Sequence, residues 1–225
     1  MKTITSPLYS KHPACVLILA HGAGAPMDSP FMEQLAIALD REGIANVRFE
    51  FPYMEKRRED GKKRPPDRQP VLLKSFREAV AQVRSHVGDH CRVLVGGKSM
   101  GGRMASLLAC EAELAVDGVA CFGYPFHAPG KPDNWRVDHF PQLTCPLLIV
   151  QGTRDPFGKA VEVEQKGTIE GVSHLAWLDG GNHDFQPLKK QPESHEQLID
   201  QAARVTRDFI DHWLSSNEQP HGAKS

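Results

Sequence analysis

Neither sign of charge predominates in this chain. Twenty-seven lysines and arginines stand against 28 aspartates and glutamates, a formal net charge of -1, so no global field argues for nucleic acid or a membrane surface as partner. Long apolar runs are missing as well. None approaches the ~20 residues of a membrane span. Ala14 to Ala20 is preceded by Pro13 and followed at once by a glycine loop, which argues against an export signal. Paired cysteine spacing is absent: Cys15, Cys91, Cys110, Cys121 and Cys145 sit singly in or beside apolar runs. They read as buried free thiols in a reducing compartment, so a cytoplasmic protein without a bound metal is expected. There is no internal repeat and no break in composition, and 225 residues suit one substantial core. One domain over 1–225 is expected, with a polar tail from Ser216 that frays.

Two nucleotide-binding patterns fail on missing glycines. Gly97-Lys98-Ser99 ends like a phosphate-binding loop, but the glycine needed five residues earlier is Arg92. His21-Gly22-Ala23-Gly24 begins like a dinucleotide loop, but the third glycine position holds Met27. No cofactor is expected.

What the chain does have is alternation. Buried-strand runs at 15–20, 93–95, 117–123 and 146–152, continuous rather than alternating in polarity, are those of a parallel sheet covered on both faces. An edge strand is expected around Lys2 to Thr5, an alternating strand over 46–51, and a short one over Leu175 to Leu178. Helical spacing relates Phe31, Leu35, Ala38 and Leu39 behind Ser29-Pro30, and Leu73, Phe76, Val80, Val83 and Val87 before Gly88. Ser194 with Gln197 forms a capping box for a last helix whose apolar face is Leu198, Ala202, Val205, Phe209 and Trp213. The stretch 55–68 is expected as a charged loop, with seven basic and four acidic residues. A solvated loop is the plainer reading, and selection of anionic substrates is the sharper one. From Tyr124 to Cys145 a loop or minimal cap is expected, leaving the site open.

The strand ending at Val95 runs into Gly97-Lys98-Ser99-Met100-Gly101 and then a helix, the context of a nucleophile elbow. Such a turn strains the serine backbone, and glycines two before and two after it leave room for neighbouring chain. In a parallel sheet the loops after successive strands share one edge, so Ser99, Asp155 and His183, each just past a strand, are expected to converge. A serine hydroxyl needs an imidazole to take its proton, and a carboxylate to orient that imidazole. Asp179 or Asp184 could serve instead as the acid, and His127 or His174 as the base. The backbone N–H groups of Ala23 and Met100 are the expected oxyanion donors. Met27, Tyr53, Met54, Tyr124, Phe126, His127, Phe157 and Phe185, with Met100, are the expected lining of a pocket for a small ester or thioester. Nothing in the chain speaks to oligomeric state.

The segments Leu19 to Gly24, Gly97 to Arg103, Gln151 to Pro156 and Gly181 to Asp184 resemble the α/β-hydrolase superfamily, in its order and over nearly the whole chain. Phe49 to Met54 and the Gly-Lys-Ser-Met-Gly-Gly-Arg elbow resemble a narrower group of small bacterial hydrolases, of dienelactone-hydrolase-like size. That group is related to a testis-expressed protein and to a subunit of a chromatin acetyltransferase complex. The resemblance implies an α/β-hydrolase fold, a mostly parallel sheet of six to seven strands with helices on both faces and a minimal cap. It implies Ser99 as nucleophile, Asp155 as acid and His183 as base. Through the chromatin-associated relatives it also implies an alternative, a non-catalytic interaction or scaffold role.

Overall fold

The computed structural model of the chain describes residues 2–214, without the side chains of Trp213 and Leu214. The expected place of Trp213 on the last helix face and the frayed tail from Ser216 lie outside the described residues. Seven strands form one sheet in the order β1-β3-β2-β4-β5-β6-β7. They are β1 (Thr3–Thr5), β2 (Cys15–Ala20), β3 (Ala45–Phe49), β4 (Arg92–Lys98), β5 (Gly118–Phe122), β6 (Leu147–Gly152) and β7 (His174–Leu178). All pair in parallel except β1, which runs antiparallel on β3. This is an α/β-hydrolase fold.

Strand β2 is buried at every position because both of its faces are covered. Its alternate residues point to opposite sides of the sheet. Val16, Ile18 and Ala20 join a core with Phe76, Val80 and Leu108 from α3 (Gln69–Val87) and α4 (Met100–Leu108). Leu17 and Leu19 join Leu35, Leu39, Leu198 and Phe209 from α1 (Pro30–Arg41) and α6 (His195–Phe209). The capping box forms as read: Gln197 N–H donates to Ser194 Oγ at 3.2 Å, and Ser194 N–H to Gln197 Oε1 at 2.7 Å.

Two sequence expectations change, and one helix is new. Strand β3 stops at Phe49, and its polar face is not solvated: Asn46 is buried, its amide donating to Ala36 O at 2.9 Å. The charged stretch after Phe51 is not all loop, because Pro52 opens a helix, α2 (Pro52–Asp60), that Gly61 closes at φ 69°. A helix the spacing did not reveal, α5 (Ala160–Lys166), buries only Val163 and so leaves no periodic stripe. Residues 124–145 are irregular apart from one short 3-10 turn at Phe140–Gln142. Among the described residues no helix is long and apolar enough to cross a membrane.

Candidate active site

Ser99 sits between β4 and α4 with φ 51° and ψ -115°, a backbone that a residue with a Cβ rarely adopts. The glycines around it are there for space. A Cβ on Gly97 would lie 2.3 Å from Ala20 O, and one on Gly101 would lie 2.3 Å from Ala20 O and 2.7 Å from His21 O. The bare backbone of α4 therefore packs onto the end of β2. The N–H of Ser99 donates to Phe122 O at 3.1 Å, which carries the elbow across to β5. Met100 opens α4, where first-turn N–H groups have no intrahelical acceptor.

Asp155 follows β6 and is fully buried. Its Oδ1 accepts the N–H of Phe157 at 2.8 Å, and its Oδ2 accepts Nδ1–H of His183 at 2.8 Å. That contact puts the imidazole proton on Nδ1 and leaves Nε2 free to accept one. The Phe157 ring lies over the same imidazole, centroids 4.4 Å apart. Ser99 and His183 face one cleft of about 320 Å³, shared with Gly22 to Ala25, Ser29, Phe31, Met32, Lys98, Phe157 and Asp184.

The glycine loop after β2 is held from behind. Phe51 N–H donates to Nε2 of the buried His21 at 3.1 Å, so Nδ1 carries the proton and donates to Gly22 O at 2.7 Å. The Tyr53 hydroxyl donates to Gly22 O and Ala23 O at 3.3 and 3.1 Å. Across a trans peptide N–H opposes C=O, so these contacts turn the Ala23 N–H away from His21 and Tyr53. Burial pushes the His21 pKa down, which keeps that ring neutral. Burial likewise pushes the Tyr53 phenol up, so it remains a donor. The next turn is fixed by the buried Glu50, whose Oε1 accepts Met27 N–H at 3.1 Å and an Arg58 N–H at 3.0 Å. Arg58 also pairs with Asp28.

Of the expected pocket residues, Phe157 lines the cleft. Met27, Tyr53, Met54, Tyr124, Phe126, His127 and Phe185 are buried in the body of the protein instead, because aromatic and sulfur side chains just past strand ends fill the core rather than coat the rim. His127 faces Glu162, Nε2 to Oε2 at 3.3 Å, and so is not near the base position. His174 begins β7, at the sheet's other edge, and Asp184 pairs with Lys98 at 3.3 Å. Asp155 is the carboxylate on His183. In the charged stretch Arg64 pairs with Asp60 at 2.7 Å and Arg58 with Glu50 outside it, and no residue of 55–68 lines the cleft. Lys98, Phe31 and Ser29 were not anticipated; only the position of Lys98 inside the elbow could have signalled it. Among the described residues no group of three or more histidine, cysteine or acidic side chains could hold a metal ion.

The family model for the alpha/beta hydrolase domain matches residues 13–211. The chain belongs to the alpha/beta hydrolase domain family. Similar solved members of this hydrolase fold include a dienelactone hydrolase from Anabaena variabilis (TM-score 0.68, 20% identity, 90% of this chain and 88% of that one). A lidless α/β serine hydrolase from Xanthomonas campestris superposes with TM-score 0.65 at 19% identity over 90% of this chain and 83% of that one. Est1E from Butyrivibrio proteoclasticus, solved with ferulic acid bound, gives TM-score 0.69 at 14% identity over 95% of each chain. At such identities the likeness speaks for the fold. The minimal cap expected from sequence agrees with the irregular, helix-poor segment 124–145 of this hydrolase.

Proposed function

We propose that this hydrolase cleaves a small ester or thioester through an acyl-enzyme, with Ser99 as nucleophile, His183 as general base and acid, and Asp155 as the carboxylate that orients it. The observation that carries the reading is the 2.8 Å contact from His183 to a fully buried Asp155, on an imidazole that shares its cleft with a backbone-strained Ser99. Nε2 takes the hydroxyl proton as Ser99 Oγ bonds to the substrate carbonyl carbon. The resulting oxyanion lies against the N–H groups of Ala23 and Met100, the first aimed by the His21 and Tyr53 contacts and the second by its place at the start of α4. Collapse breaks the bond to the alcohol or thiol, which leaves with the proton from His183. Water then repeats the sequence and releases the acid, with the proton returning to Ser99. Removing one oxyanion donor costs ~3 kcal/mol of barrier in enzymes of this kind.

The experiment is labelling with a fluorophosphonate probe. Folded wild type is expected to label and Ser99→Ala not to; absence of label on folded wild type removes the reading. The narrower resemblance to chromatin-associated relatives keeps a scaffold role as the competing account. It gains if Ser99→Ala leaves a cellular phenotype intact that a null allele abolishes. Cysteines that are all free thiols, three of them buried, suit a cytoplasmic setting.

A further inference from the structure

His127 is buried, and the reaction at Ser99 makes no direct use of it. Its Nδ1 lies 3.1 Å from Ala128 O. A carbonyl only accepts, so Nδ1 carries a proton, and in a neutral ring the lone pair falls on Nε2. That nitrogen is enclosed without a hydrogen-bond partner and faces Glu162 Oε2 at 3.3 Å, close enough for an ion pair but not aligned as a hydrogen bond. A lone pair held against a carboxylate oxygen away from water is repulsive, and a second ring proton turns the same contact into attraction. Burial works against the Glu162 carboxylate, yet the Lys159 N–H, the Lys159 ammonium and His127 together hold its pKa below the ordinary value. The contact is therefore favourable only while His127 is an imidazolium.

The pair closes around the segment that carries Asp155 and Phe157 from β6 to the start of α5. His127 grips that segment at two points. Its backbone N–H donates to Phe157 O at 3.1 Å, and its ring meets Glu162 Oε2, the oxygen that also accepts the Lys159 N–H at 2.8 Å. Gln151 Nε2 joins the two loops by donating to Tyr124 O at 3.2 Å and to Gly158 O at 3.3 Å. Phe157 passes the restraint to the site, with its N–H on Asp155 Oδ1 at 2.8 Å and its ring against His183. The other charged groups around the pair come from three places. From α5 and its cap, Lys159 Nζ is 3.7 Å from Glu162 Oε1, and Lys166 Nζ lies 5.4 Å over the Trp135 ring, which meets His127 edge-on at 5.6 Å. From the 124–145 segment, the Arg136 N–H donates to Phe126 O at 2.8 Å. From the β6 loop, Asp155 is committed to Phe157 and His183. Glu162 is the carboxylate that meets the His127 ring among the described residues.

We propose that His127 and Glu162 form a proton-dependent latch that positions Asp155 and Phe157 for the reaction at Ser99, closed while the ring carries two protons and loosened when it loses one. Both are positioning residues: neither lines the cleft, and they act through Phe157 and the start of α5. The inference rests on the hydrolase reading and adds regulation to it. Its consequence opposes that of the catalytic base. A histidine base gains activity as pH rises and then holds it, whereas an opening latch takes activity away at alkaline pH. Lys98, buried and bonded to His183 O, is the other cation near the site whose loss of charge would act in that direction. The variants below separate the two.

In Glu162→Gln the carboxamide offers an N–H to the neutral ring and keeps an oxygen for the Lys159 N–H, so the latch stays closed without the second proton. His127→Gln offers the carboxylate a permanent N–H to the same effect. With p-nitrophenyl butyrate, wild-type kcat/KM followed from about pH 6 to 9 is expected to fall about tenfold at the alkaline end, and Glu162→Gln to hold a plateau there. His127→Gln is expected to give the same plateau and decides the matter if melting temperatures show Glu162→Gln to be unfolded. No alkaline fall in wild type, or a fall that the folded variant leaves in place as one due to Lys98 would be, overturns the latch. The second readout needs no turnover: pulse-labelled amide exchange over 155–160 in Ser99→Ala, with and without Glu162→Gln. At about pH 9 the segment is expected to exchange about tenfold faster without Glu162→Gln, and at about pH 6 equally in both. Equal rates at the higher pH overturn the latch. A difference there with no ester turnover by wild type keeps the latch and removes the hydrolase reading.

Discussion

The Lys98 ammonium, on a side chain 8% exposed, donates to His183 O at 2.5 Å and meets Asp184 Oδ1 at 3.3 Å. Its third neighbour is the face of Phe31, 5.1 Å away. Burial pulls its pKa down while Asp184 and Asp155 oppose the shift. The residue next to Ser99 thus ties the backbone of His183 to the turn between β4 and α4. Lys98→Met is expected to lower kcat by about tenfold or more with little change in KM, because a hydrogen bond to a charged group contributes ~1.5–3 kcal/mol. Steady-state kinetics on a neutral ester checks this, and a rise in KM at constant kcat would instead assign Lys98 to substrate binding. Ser99, Asp155 and His183 were legible as a set because each carries chemistry and each follows a strand. Lys98 was not, since a lysine inside a glycine turn reads equally well as a surface charge.

At the scale of elements, the seat of α4 on β2 leaves no room for a side chain at Gly101. Gly101→Ala would drive a methyl into two carbonyl oxygens, and overpacking of this kind costs ~1–3 kcal/mol. Denaturant unfolding is expected to show that loss, accompanied by loss of probe labelling as the elbow shifts. Labelling at the wild-type rate would mean that the helix can slide without moving Ser99. Strand β2 could be read directly from its unbroken apolar run, and helices α1, α3 and α6 from the apolar stripe each buries. Helices α2 and α5 could not. The first buries only Tyr53 and Met54 and the second only Val163, so neither carries a stripe, and the seven basic residues of 55–68 drew attention to charge instead of to Pro52.

For the whole molecule, acid should be destabilising well before its carboxylates titrate. His21 and His139 are held neutral by burial, the latter down to about 4 from an ordinary 6.5. Between those values the unfolded chain binds more protons than the folded one, so stability falls as pH drops from about 6.5 and the His139 share levels off below about 4. Asp28, held low by Arg58, adds a loss of the same sign at still lower pH. Melting temperatures across pH 7 to 4 are expected to decline, and His139→Gln should make the decline shallower. A flat profile would mean that these rings are solvated in the native state.

The sequence by itself determined the layered α/β architecture, the strand order of the chemistry-bearing residues and the strained turn at Ser99, because continuous apolar runs and glycine spacing are local properties of the chain. Tertiary structure alone decided which carboxylate meets His183, that most of the expected pocket aromatics are core, and that Lys98 stands beside Ser99 and His183 in one cleft. Those facts depend on how loops distant in sequence meet above one sheet edge, where direction and burial are set by the packing of neighbours and no local pattern records them.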